Sequence, residues 1–142
     1  MVPSERMTNP IKVFGHKSPD TDTTCSAVIW AWYLNTHTST KATSYVLGEL
    51  NKETKFVLSR WGVEEPPLLE GVSAEDDVII VDTNNPQELF ENINEANILG
   101  VIDHHKLVGG ISSKNPPTVT MRPLASTAAL LYDLMGDVAD DL

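Results

Sequence analysis

Three stretches carry the side chains able to do chemistry: Gly15-His16-Lys17-Ser18-Pro19-Asp20-Thr21-Asp22, the single acid Asp82, and Asp103-His104-His105. Each follows directly on a short apolar run, at Ile11 to Phe14, Val78 to Val81 and Ile98 to Ile102 respectively. Imidazoles and carboxylates suit Mn²⁺, Co²⁺, Mg²⁺ or Zn²⁺ better than a soft metal. If the three runs are parallel neighbours in one sheet, their polar ends converge at the carboxyl edge, where open α/β sheets bind ligands. Several carboxylates sharing a small volume cannot all ionise unless cations compensate them. With three strand ends contributing, the pattern accommodates two ions. Asp82 could bridge them at a separation of about 3.5–4 Å and hold a hydroxide aimed at phosphorus. This is the chemistry of phosphoester or phosphoanhydride hydrolysis.

Taken singly, each stretch has a plainer reading. Asp20 and Asp22 could cap the following helix while His16 is a core residue, and Asp82 could open the turn Thr83-Asn84-Asn85-Pro86. It is the convergence of three strand ends that favours metal. Adjacent side chains at a strand end point in different directions, so His104 and His105 are not expected to bind one ion. One would ligate, the other could face substrate as a hydrogen-bond donor or proton source, and Asp103 could orient a histidine. Other candidates are thin. His37 reads as solvated, Cys25 has no general base nearby, Ser126-Thr127 reads as a helix cap, and Trp30, Trp32 and Tyr33 read as core or interface. No Walker loop or dinucleotide fingerprint occurs.

The elements that must position these residues follow from pattern and punctuation. Strands are expected at Ile11 to Phe14, Thr43 to Leu47, Val78 to Val81 and Ile98 to Ile102, with an edge strand at Thr118 to Arg122. Helices are expected from Thr23 or Thr24 to Asn35, from the cap Asn51 to about Trp61, from Pro86 to about Ile93, and from Ser126 to Met135. This alternation predicts an α/β fold of right-handed βαβ units, a mostly parallel sheet with helices on both faces.

A chain of 142 residues, 41% of them hydrophobic, has the size and composition of one domain with a substantial core. Its formal net charge of -10 argues against nucleic acid or anionic lipid as partners. One cysteine excludes an internal disulfide and fits a reducing cytosol. No segment has the length and apolarity of a membrane span or signal peptide, so a cytoplasmic protein is expected. Residues 1–10 read as a flexible tail and 11–142 as a metal-binding catalytic domain. Gly136 to Leu142 carries three aspartates, no basic residue and no finishing strand, and reads as a domain cut short at its carboxyl end.

Taken together, Gly15 to Asp22, Val81-Asp82-Thr83-Asn84-Asn85-Pro86 and Ile102-Asp103-His104-His105-Lys106 resemble the first three motifs of the DHH phosphoesterase superfamily. Within it they most resemble the manganese-dependent (family II) inorganic pyrophosphatases. Nuclease members usually carry glycine between the two aspartates, where this chain has Thr21. The resemblance runs from about Ile11 to Gly136. It implies a DHH-type, Rossmann-like domain in which His16, Asp20 and Asp82 bind one metal and Asp22, Asp82 and His104 bind the second. The ions would be Mn²⁺, with Co²⁺ or Mg²⁺ as substitutes. His105 would face the phosphate, Asp103 would support the histidines, and pyrophosphate would be cleaved to two phosphates. The resemblance also implies a homodimer, and a fourth aspartate and basic substrate clamp beyond Leu142. Two other readings stand beside it: a phosphodiesterase or exopolyphosphatase acting on oligonucleotides or polyphosphate, and a metal-binding fragment without catalysis of its own.

Overall fold

The computed structural model describes residues 9–142, so most of the tail expected at 1–10 lies outside the described residues. The strands are β1 (Ile11–Phe14), β2 (Ala42–Ser44), β3 (Asp77–Val81), β4 (Asn97–Asp103) and β5 (Thr118–Met121). The α-helices are α1 (Thr21–His37), α2 (Lys52–Arg60) and α3 (Thr127–Met135). All strand pairings are parallel, in the order β2-β1-β3-β4-β5. The expected parallel α/β sheet is therefore present, and β1, β3 and β4 are consecutive neighbours.

That order places a switch point between β1 and β3, because the chain leaves β1 toward one edge and then builds β3, β4 and β5 toward the other. Right-handed crossovers running in opposite directions fall on opposite faces and open a crevice at the carboxyl ends. Register aligns those ends: Phe14 pairs with Ile80, and Val81 with Ile102. The residues that follow Phe14, Val81 and Ile102 therefore emerge side by side.

Alternation along the strands divides the core in two. On one face Val13, Ile79, Val81 and Ile102 pack with Ala27 and Ala31 of α1 and with Leu130, Leu131 and Met135 of α3. The buried positions of α1 are small, at Thr23, Thr24, Ser26, Ala27 and Ala31, so this helix lies close to the sheet. On the other face Phe14, Val78, Ile80, Ile98 and Val101 meet Leu69, Leu89, Ile93 and Ala96. Each fully buried leucine contributes about 1.5–3 kcal/mol.

Three boundaries depart from expectation. Helix α1 starts at Thr21, ahead of the expected Thr23 or Thr24, because Asp20 caps it, and it runs on to His37. The expected strand at Thr43 to Leu47 ends at Ser44: Val46 turns away from β1 to bridge Leu68, and its side chain joins Leu50 and Leu58 in a separate cluster. The helix expected from Pro86 to Ile93 is two single 3₁₀ turns, Pro86–Glu88 and Ile93–Glu95. Here asparagine side chains bind distant backbone instead of letting a helix propagate, Asn92 donating to the Val72 carbonyl and Asn94 to that of Gly110. The cover of the second face is thus 3₁₀ turns and loops. Among the described residues no helix is long and apolar enough to cross a membrane.

Candidate metal centre

Gly15 lets the chain leave β1 between α1 and β3. A Cβ there would lie 2.4 Å from Thr23 Cγ2 and 2.9 Å from the Val81 carbonyl oxygen, so only a residue without a side chain fits. His16 follows, and the loop then delivers Asp20, whose Oδ1 accepts a 2.8 Å hydrogen bond from the Thr23 amide as the cap of α1. At the end of β3 the Asp82 amide still donates to the Ile102 carbonyl at 2.9 Å, but its φ of 65° turns the chain out of the sheet. That left-handed conformation costs a residue with a side chain of order ~1–3 kcal/mol, and aspartate is among the residues that tolerate it.

Asp82 is 2% exposed and stands at the centre. Its Oδ2 lies 3.4 Å from His16 Nε2 and accepts a 2.6 Å hydrogen bond from the Thr23 hydroxyl. Its Oδ1 lies 3.2 Å from His104 Nε2 and accepts a 3.0 Å hydrogen bond from the Thr127 hydroxyl. Oδ2 thus faces one imidazole and one threonine, and Oδ1 faces His104 and Thr127 with His105 Nδ1 farther off at 3.9 Å. The outer acids extend the same division, with Asp20 Oδ2 3.8 Å from His16 Nε2 and Asp22 Oδ2 3.6 Å from His104 Nε2. The result is two lobes sharing Asp82.

The ring orientations are fixed from behind. His16 Nδ1 lies 2.6 Å from the Lys17 carbonyl and His104 Nδ1 lies 3.0 Å from the Leu124 carbonyl. A carbonyl only accepts, so in both rings Nδ1 carries the hydrogen and Nε2 turns to the carboxylates. Histidines that ligate metals are held in this way. Among the described residues no lysine or arginine pairs with Asp20, Asp22, Asp82 or Asp103. Oxygen and imidazole donors converging without a fixed cation fit a hard or borderline divalent ion.

His105 is placed differently. Its Nδ1 donates to Asp103 Oδ1 at 2.7 Å, and half of its side chain is exposed. It lines a cavity of about 250 Å³ together with His16, Thr83, Asn84, Asn85, Glu88 and Lys106. Asp103 is fully buried and fully engaged: Oδ1 also accepts from the His104 and His105 amides, and Oδ2 accepts from Asn84 Nδ2. Distance alone groups Asp82, Asp103, His104 and His105 as one donor cluster, beside His16, Asp20 and Asp82. The bonding separates them, because Asp103 has spent its oxygens on the loop while Asp22 faces His104.

The electrostatics follow from this packing. The hydrogen bond to Asp82 raises His16 to about 9, against the opposing effect of burial. Burial opposes ionisation of Asp82, yet hydrogen bonds from His16, Thr23 and Thr127 outweigh it and hold the carboxyl down at about 2. Burial pushes the Asp22 carboxyl up, although the Thr127 and Ala128 amides stabilise its charged form. Burial lowers His105, but its bond to Asp103 prevails and the ring is shifted up.

The structure therefore brings together His16, Asp20, Asp22, Asp82 and His104, with Asp103 and His105 one layer away. Capping, the plainer reading of the first two acids, is also present: Asp20 caps α1, and Asp22 receives the amides of Thr127 and Ala128 at the start of α3. Ser126 caps α3 as expected. His37 is exposed, as expected, with its Nε2 3.5 Å from Asp141 Oδ2 and its ring against Trp32 and Tyr33. Sequence reasoning missed Thr23 and Thr127 as partners of Asp82, and Asn84 as partner of Asp103. Only the place of Asn84, two residues after Asp82 in a turn, offered a signal.

Comparison with known proteins identifies the family. Residues 10–141 match the model of the DHH family, N-terminal domain. The chain is 35% identical over 130 residues to the manganese-dependent inorganic pyrophosphatase of Methanocaldococcus jannaschii, covering 92% of this chain and 39% of the relative. It is 40% identical over 124 residues to a probable manganese-dependent inorganic pyrophosphatase of Deinococcus radiodurans, covering 87% and 39%. It superposes with a TM-score of 0.77 and 34% identity on the crystal structure of a Methanococcus jannaschii protein assigned to the family II inorganic pyrophosphatases, covering 87% of this chain and 38% of that one. The chain spans about two fifths of the length of the curated relatives it matches. Motifs, sheet order and sequence similarity agree, and the chain belongs to the DHH family, matching its N-terminal domain.

Proposed function

We propose that this chain is the metal-binding domain of a manganese-dependent inorganic pyrophosphatase, in which His16, Asp20 and Asp82 hold one ion and Asp22, Asp82 and His104 hold the other. The observation that carries this reading is the division of Asp82, whose Oδ2 and Oδ1 stand 3.4 and 3.2 Å from the Nε2 atoms of His16 and His104. The names of the relatives supply the metal and the substrate. Two divalent cations would contribute positive charge against a phosphoanhydride and a water acidified toward neutral pH.

The remaining chemistry belongs to the chain. His105, anchored through Nδ1 to Asp103, keeps Nε2 free beside the cavity and is shifted toward its protonated form. It is suited to donate a hydrogen bond, and then a proton, to the phosphate that leaves as the P–O–P bridge breaks. Lys106 lines the same cavity and adds positive charge for the substrate. Asn84 holds the loop that carries both: its Nδ2 donates to Asp103 Oδ2 and to the Lys106 carbonyl, and its Oδ1 accepts from the Val108 amide.

The test is phosphate release from pyrophosphate with and without added Mn²⁺, alongside Mn²⁺ stoichiometry on the same sample. Metal-dependent release with two ions per chain is the expected result. Two ions bound without release would keep the metal centre and reject catalysis by this chain alone. Faster cleavage of short oligonucleotides than of pyrophosphate would overturn the substrate.

A further inference from the structure

We infer that Thr23 and Thr127 are positioning residues that set the metal affinity of the two lobes separately, one hydroxyl fixing each oxygen of Asp82. This rests on the two-lobe reading above and adds to it which residues outside the ligand set control each lobe.

Both threonines are buried, 1% and 0% exposed, and they come from different helices on the same face of the sheet. Thr23 stands in the first turn of α1 and donates to Oδ2, the oxygen facing His16. Thr127 opens α3 and donates to Oδ1, the oxygen facing His104. Remove one hydroxyl and the oxygen it serves loses the donor that fixes its aim, while the other oxygen keeps its own. Backbone strain makes the restraint more valuable, because Asp82 sits at a φ of 65° where the chain turns out of the sheet.

Thr127 also binds a second acid. Its amide donates to Asp22 Oδ2 at 2.9 Å while its hydroxyl donates to Asp82 Oδ1 at 3.0 Å. One residue therefore spaces the two acids of the His104 lobe. The neighbouring Ala128 amide holds the other oxygen of Asp22 at 3.0 Å, so the start of α3 forms the back wall of that lobe. Among the described residues no hydrogen bond joins α3 to Asp20, and the His16 lobe depends instead on α1, whose Thr23 amide and hydroxyl hold Asp20 and Asp82 respectively. Each helix start thus presents one threonine that grips an outer acid with its N–H and the shared acid with its hydroxyl.

Titration calorimetry with Mn²⁺ alone on Thr23→Val, Thr127→Val and the matching Thr→Ser variants tests this directly. Valine keeps the shape and removes the donor, while serine keeps the donor. Each valine variant is expected to lose roughly 10–100-fold in affinity at one site and none at the other. Both serine variants should bind as the parent chain does. Lobe assignment comes from combination: Thr127→Val should cost nothing further on top of His104→Ala but should still weaken His16→Ala, and Thr23→Val should behave in the converse way. Equal loss at both sites, no loss, or tighter binding in the valine variants overturns the inference. If valine does not fold, alanine removes the same hydroxyl. A chain that folds with serine but with neither valine nor alanine needs that hydroxyl for its fold, which also overturns it. Fewer than two ions in the parent chain would instead overturn the two-lobe reading itself.

Discussion

Asn84 and Asp103 are joined by a 2.7 Å hydrogen bond from the asparagine amide to Asp103 Oδ2, and both side chains are buried. The bond ties the end of β3 to the end of β4, and through Asp103 it reaches the ring of His105. A carboxylate in such a place depends on donors, and removing one leaves a desolvated charge that costs about 1–3 kcal/mol or more. Asn84→Leu is therefore expected to destabilise the chain by that amount in urea unfolding. The double variant with Asp103→Asn should recover part of the loss, since the charge that needed the donor is gone. Additive losses would mean that the pair is not coupled.

Gly15 and Thr23 make a second coupled pair. A Cβ on Gly15 would come within 2.4 Å of Thr23 Cγ2, so Gly15→Ala is expected to cost about 1–3 kcal/mol by overpacking. Adding Thr23→Ser removes the clashing methyl and keeps the hydroxyl, and should recover a measurable share. The Val81 carbonyl at 2.9 Å would still limit the rescue. No recovery in thermal melts would place the strain elsewhere.

These pairs bear on what the sequence could disclose. Aliphatic runs ending in acids and histidines made the strand ends legible, because period and punctuation are local properties. That they meet depends on sheet order, which the βαβ rhythm leaves open and the fold realises with β1, β3 and β4 side by side. The contacts that hold the centre were not legible. Thr23 reads as the start of a helix, yet its hydroxyl lies on Asp82, 59 residues away. Thr127 reads as the start of a helix, and nothing local says that its amide meets Asp22 across 105 residues. The helix expected from Pro86 failed for a similar reason, since its asparagines bind backbone at Val72 and Gly110, beyond any local window.

The metal-free chain should show a stability plateau in mildly acidic solution. His16 rises from 6.5 to about 9 on folding, so its contribution is complete below pH 6.5 and is lost as pH climbs through 9. Asp82 falls from 3.8 to about 2, so its contribution is complete above pH 3.8 and is lost as pH drops through 2. Melting temperatures in chelator are expected to decline by several degrees between pH 6 and about 9.5. Saturating Mn²⁺ should abolish or reverse that decline, because an imidazole must shed its proton to ligate. Parallel declines in chelator and in Mn²⁺ would argue that His16 is not a ligand.

Asp82 and His105 should separate metal binding from turnover. Asp82→Asn keeps the shape but turns one oxygen into an amide nitrogen and removes the charge that both lobes share. Both ions are expected to weaken together by calorimetry, and loss of only one would count against a shared carboxylate. His105→Ala removes a ring whose Nδ1 is hydrogen-bonded to Asp103 and which lines the cavity. Mn²⁺ stoichiometry should stay at the parent value while the rate of phosphate release falls by about 10²–10⁴, the range for a lost general acid. Substantial metal loss in His105→Ala, with an unchanged rate per bound ion, would show that the adjacent histidines exchange the roles given to them here.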